Sequence, residues 1–172
     1  MKGIEMEKKF PIISKVNGDK ELLLVGTTYS NGINRIKDEI NIDLLISSPG
    51  SIDFQKLLCG AWSWDTSMYS GGGTANLNWM LEQLLDVMVW AKSIGFNIIT
   101  FSGSDSRRQK VFSKILKRQL KKYGAEDLVS ERVYDEDEPD DIEIMITMPT
   151  WDRITAMEVV RAIRRFNRVR AS

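Results

Sequence analysis

Residues 71–124 read GGGTANLNWMLEQLLDVMVWAKSIGFNIITFSGSDSRRQKVFSKILKRQLKKYG, and the changes of hydrophobic period along them decide the fold. After the glycines, Leu77, Met80, Leu81, Leu84, Leu85, Met88 and Ala91 recur at helical spacing. That predicts an amphipathic helix from Thr74 or Asn76, either of which can cap it, to about Ser93. Trp79, Val87 and Trp90 widen the stripe beyond one core face. Gly95 stands where a helix needs its left-handed stop. Asn97–Phe101 is a short apolar run, the mark of a buried strand. SGSDS then turns the chain into a second helix, Arg107–Tyr123, with Val111, Phe112, Ile115, Leu116 and Leu120 expected inward. Helix–strand–helix units of this kind form half of many α/β ligand-binding domains.

Upstream, FPIISKV (10–16) is β-prone and ends at Asn17-Gly18, a turn signal, with ELLLVGTTYS (21–30) as its hairpin partner. INIDLLISS (40–48) alternates, placing Ile40, Ile42, Leu44 and Ile46 on one face, and Pro49-Gly50 ends it. A further short strand fits Leu57–Trp62. Downstream, residues 126–143 hold ten carboxylates and one arginine, and YDEDEPDD (134–141) within them reads as an exposed loop. IEIMITM (142–148) is a strand. Thr150 caps a last helix from Trp151 to about Arg168, with Ile154, Val159, Val160, Ile163 and Phe166 expected inside. The order β-β-β-α-β-α-β-α predicts one α/β (α+β) domain over 1–172 with a mixed central sheet and flanking helices. Its parts are an antiparallel meander (10–62), a loop–helix–strand–helix unit (71–124) and a final strand and helix (142–170).

Composition limits the chemistry. The 172 residues carry no histidine, which removes the commonest general base and metal ligand and every triad built on one. Cys59 is the single cysteine and sits in LLCGAW, so neither an intrachain disulfide nor a cysteine-rich zinc site forms, and a packed thiol is expected. No metal site is expected. MKGIEMEKKFP has no apolar core of a secretory signal, and Glu82, Gln83 and Asp86 interrupt the apolar helix. A cytoplasmic protein is the expectation.

Four features bear on function. Three glycines before a capped helix let a backbone approach an anion, though a plain surface turn has the same composition, and no lysine follows as in an ATP-binding loop. Arg107, Arg108, Lys110, Lys114, Lys117, Arg118, Lys121 and Lys122 place eight positive charges on one helix without an acid. Each like-charge neighbour pair costs roughly 0.2–0.5 kcal/mol in an isolated helix, so an acidic partner is required. The stretch 126–143 is the default partner; a nucleic acid or a phosphorylated ligand is the other possibility. Trp62, Trp64 and Tyr69 flank Asp65 in a loop that either closes the core or anchors a ligand. The acidic loop lacks the spacing of a calcium site.

The segment 68–124 resembles the second half of the GCN5-related N-acetyltransferase (GNAT) fold. In that family a glycine loop precedes a helix, a strand and a second helix carrying an Asn-x-x-Ala-x-x-apolar-Tyr pattern. Met68-Tyr69-Ser70-Gly71-Gly72-Gly73 matches the Arg/Gln-x-x-Gly-x-Gly/Ala loop at Gly71 and Gly73 and departs from it at Met68. Asp105 to Phe112 aligns with the second pattern, and Phe112 replaces the family's tyrosine, often the general acid. The resemblance covers about a third of the chain and is similar in style to diverged members found in bacteriophages and mobile elements. It implies acetyl-CoA as cofactor, with Gly71, Gly72, Gly73 and Thr74 on the pyrophosphate and Ser104 and Arg107 toward the nucleotide end. Transfer of an acyl group to an amine follows, weak or absent without the tyrosine, with Asp65 or Glu82 as candidate bases. The alternative is a non-enzymatic module that binds a protein or nucleic acid through the aromatic loop or the basic helix. An acyl donor or a protein partner is expected ahead of nucleic acid, and no membrane.

Overall fold

The computed structural model describes residues 6–18, 20–30, 38–47, 73–101, 106–133, 136–139 and 142–171. Within them lie six strands and four α-helices, a mixed α/β fold as expected. The chain divides into two compact units, residues 1–83 with 100–102, and residues 84–99 with 103–172.

In the first unit, β1 (Met6–Asn17), β2 (Lys20–Ser30) and β3 (Glu39–Ser47) form the antiparallel meander. The pairing Asn17↔Lys20 leaves a two-residue turn, and Gly18 takes φ +63°, a left-handed conformation that costs glycine nothing. Between Pro11 and Ile13 the register slips by one residue, so Ile12 forms a β-bulge. Successive strand side chains point to opposite faces, yet Leu22 to Thr27 are all buried, so β2 is covered on both. This is why Leu22, Leu23, Leu24 and Val25 form a run and do not alternate. Ile40 and Ile42 of β3 are buried, and Asn41 Nδ2 donates to Thr100 Oγ1 at 3.1 Å. Helix α1 (Gly73–Glu82) buries Trp79, Met80 and Leu81. The expected strand near Leu57–Trp62, the aromatic loop and Cys59 lie outside the described residues.

The single helix expected over 74–93 is two. The Gln83 N–H is shared between the carbonyls of Trp79 at 3.2 Å and Met80 at 3.1 Å, a tightened turn that ends α1 before α2 (Leu84–Ser93) begins. No glycine or proline marks this break in the sequence.

In the second unit α2 ends as predicted at Gly95, φ +96°, with Gly95 N–H on Lys92 O at 3.1 Å and Phe96 N–H on Ala91 O at 3.0 Å. This is a Schellman motif. Gly124, φ +66°, ends α3 (Ser106–Lys121) the same way, with Gly124 N–H on Lys121 O and Ala125 N–H on Leu120 O, both at 3.0 Å. A 3₁₀ turn (Glu126–Leu128), β5 (Val129–Val133), β6 (Ile142–Thr147) and α4 (Trp151–Ala171) follow. The strand order is β1-β2-β3-β4 in the first unit and β4-β6-β5 in the second. Strand β4 (Ile98–Phe101) gives Thr100 and Phe101 to the former and Ile98 and Ile99 to the latter. Met88, Phe96, Ile99, Leu116, Leu120, Ile144, Ile146 and Ile154 form the core of the second unit.

Three expectations are corrected here. Strand β5 lies inside the acidic stretch; only Val129 of its five residues is buried, and Arg132 pairs across the ladder with Glu143, its register partner. Helix α3 is rotated from the expected face: Gln109, Ser113, Leu116 and Leu120 are buried, Phe112 and Ile115 are half-buried, and Val111 is 54 % exposed. In α4 only Ile154 and Met157 are buried, Val160 is half-buried, and Val159, Ile163 and Phe166 are 53 %, 54 % and 62 % exposed. Arginines hold the inward face instead. Arg161 donates to both oxygens of Asp86, at 2.5 and 3.0 Å. Arg164 donates to the Lys122 carbonyl at 2.5 Å and lies 5.5 Å over the Tyr123 ring.

Candidate functional site

Two places bear on function, and they belong to different units. The first is the start of α1. Gly73 and Thr74 form the first turn there, and this turn holds no acidic residue. Its leading N–H groups have no intrahelical acceptor, and the helix dipole makes them a focus of positive potential. Gly71, Gly72, Ser104, Met68 and Asp65 lie outside the described residues. Arg107 is in the first turn of α3, in the second unit, and that turn also lacks an acid. Glu82 ends α1 and is exposed. Phe112, aligned with the family's tyrosine, is half-buried on α3.

The second place is α3 itself. Lys110, Lys114, Lys117 and Lys121 follow one another at i, i+4, i+7 and i+11, so they stand in a single row along the helix, about 16 Å from end to end. All four are exposed, as is Arg118 beside them. The row follows from the sequence directly: buried Gln109, Ser113, Leu116 and Leu120 each precede a lysine of the row by one residue. Ser113 is buried with no hydrogen-bond partner for its hydroxyl, and Gln109 Nε2 reaches the Ile142 carbonyl at 3.5 Å. Lys122 turns aside to Gln119 Oε1 at 3.1 Å.

A shallow cleft of about 380 Å³ lies against the end of the row, lined by Lys117, Arg118, Lys121, Glu126 and Asp127. Asp127 is already engaged. Arg153 of α4 grips it in a two-point contact, Nη2 to Oδ1 at 2.6 Å and Nη1 to Oδ2 at 3.1 Å, while Nη2 also donates to Gly124 O at 3.0 Å. The Arg153 hydrogen bond holds the Asp127 carboxyl below its ordinary range, and Asp127 in turn raises Arg153. The pair is exposed and adds little stability. Its effect is on charge: it engages Asp127, one of the two acids of the cleft, and leaves Glu126, as Arg132 engages Glu143.

Among the described residues Lys114, Lys117, Arg118 and Lys121 form no ion pair. Sequence reasoning missed the Arg153 clamp, because Arg153 and Asp127 are 26 positions apart and no spacing rule joins them.

No known protein family, curated protein or solved structure matches the chain. No helix among the described residues is long and apolar enough to cross a membrane.

Proposed function

We propose that the chain is a diverged acetyltransferase-like domain that takes up an acyl-CoA at the start of α1, with acyl transfer to an amine weak or absent. One observation carries this reading: α1 begins at Gly73, directly behind Gly71 and Gly72, and its first turn holds no acid to compete with a phosphate. From Gly73 to Lys121 two helices, a strand and a further helix follow one another, the order the resemblance requires apart from the break at Gln83. Gly71, Gly72, Gly73 and Thr74 hold the pyrophosphate in this reading; Ser104 and Arg107 are not needed for it. Phe112 has no proton to give a departing thiolate, so transfer is slow unless water relays it.

Titration calorimetry with CoA and acetyl-CoA tests the reading. A saturable heat is expected, with stabilisation of about 2.7 kcal/mol once ligand reaches a hundredfold excess over Kd. Gly72→Asp sets a carboxylate against the phosphates and weakens binding about tenfold, roughly 1.4 kcal/mol. The absence of both heat and thermal shift at millimolar CoA overturns it. Lys114, Lys117, Arg118 and Lys121, which form no ion pair among the described residues, favour a second reading, a module that binds a polyanion.

A further inference from the structure

We infer that the α3 face formed by Lys114, Lys117, Arg118 and Lys121 binds the phosphate backbone of double-stranded nucleic acid without reading its sequence. The inference rests on no part of the acyl-CoA reading, because none of these residues belongs to the α1 start.

The four cations occupy two turns of a regular helix, and each has another at i±3 or i±4. None of the four forms an ion pair with a described carboxylate, and Glu126, which lines the cleft beside Lys117, Arg118 and Lys121, offsets only part of their charge. The cleft acid Asp127 is bound by Arg153, and Arg153 is itself fixed by the Gly124 carbonyl at the end of α3. This face of the helix thus carries more positive charge than the described acids of the cleft offset.

The chemistry of the line selects the ligand. An ammonium is a compact point charge on a flexible stem and meets a phosphate from many directions, which suits contact without sequence readout. Lys114 to Lys121 spans about 10 Å, along which a duplex presents about six phosphate charges. No aromatic side chain stands between the cations, so the stacking platform of a single-strand binder is missing. Val111 is the sole large apolar side chain exposed on α3 among its described residues. One valine supplies neither the apolar face needed to enter a bilayer nor the anchor of a protein interface. Arg164, bonded to the Lys122 carbonyl, brings the end of α4 with exposed Arg165 and Arg168 to the same end of α3, extending the positive surface.

The test is fluorescence anisotropy of a short labelled DNA duplex of mixed sequence, titrated with the full chain across a salt series. Binding at micromolar protein is expected near 50 mM salt, with log K falling against log salt at a slope of about −3 to −4, as about four phosphate contacts require. Lys114→Gln, Lys117→Gln and Lys121→Gln together flatten the slope by roughly 2.7 and lower affinity at least about tenfold at low salt. Glutamine keeps a helix propensity close to lysine's, and unchanged circular dichroism checks the fold. The same three changes to arginine retain binding, and Lys15→Gln on β1 leaves it unaltered. Four results overturn the inference: no binding near 50 mM salt, a glutamine triple variant that binds like the parent, tighter binding of single strands than of duplex, or capture by phosphatidylserine vesicles or polyglutamate with none by duplex.

Discussion

Phe96→Ala is expected to lower the stability of the second unit by about 3–5 kcal/mol, the range for removing a buried ring. Phe96 is 2 % exposed and follows directly on the glycine that ends α2. Its N–H closes the Schellman motif on Ala91 O, and alanine keeps that bond. The loss therefore measures the side chain alone: the lost burial of the ring plus the cavity left in the core of the second unit. Urea unfolding followed by circular dichroism reads the shift. A change below about 1 kcal/mol would place Phe96 outside the core.

Leu116→Ala is expected to cost about 2–5 kcal/mol, and Val111→Ala less than about 0.5 kcal/mol. Both residues lie on α3 and both belong to the apolar set its sequence offers. Leu116 is fully buried; Val111 is exposed. Alanine is also the better helix former, so the second change can raise stability slightly. The pair decides the orientation of α3 by comparison within one helix. Equal losses would mean that Val111 packs inward and that the lysine row is turned accordingly.

What was legible in the sequence was what rests on backbone chemistry. Gly95 announced the end of α2 because a left-handed stop calls for glycine, and Gly124 carries the same signal at the end of α3. The run Leu22–Val25, Ile98–Phe101 and the alternation at Ile40 and Ile42 placed strands correctly. Faces of helices were less legible, because polar side chains took inward positions. Gln109 and Ser113 occupy the buried side of α3, and Arg161 and Arg164 hold the inward side of α4 through Asp86 and the Lys122 carbonyl. A count of apolar residues finds Leu116, Leu120 and Ile154 inside but turns each helix partly off its buried face. Strand β5 hid because VSERV buries one residue of five and reads as part of an acidic loop. The charges of α3 were visible from the start. That Lys114, Lys117, Arg118 and Lys121 form no ion pair among the described residues was not, since the Arg153 contact to Asp127 joins positions far apart in the chain. Of the glycine-loop residues, Gly73 and Thr74 already lie inside the helix, which begins ahead of the cap expected at Thr74 or Asn76, while Gly71 and Gly72 lie outside the described residues.

The bulge in β1 bears on how the protein keeps from sticking to itself. At twelve residues β1 is long, and among the described residues it pairs only with β2, so its other edge carries backbone groups open to a strand from another molecule. Pro11 has no N–H to offer such a strand, and the slip at Ile12 divides the edge into Met6–Phe10 and Ile13–Asn17, so that no continuous ladder can run its whole length. Lys8, Lys9 and Lys15 add like charge to any stack of copies. Pro11→Val should therefore leave the fold in place yet shorten the lag before thioflavin-positive fibrils form on heating, and Lys9→Val in the same chain should shorten it further.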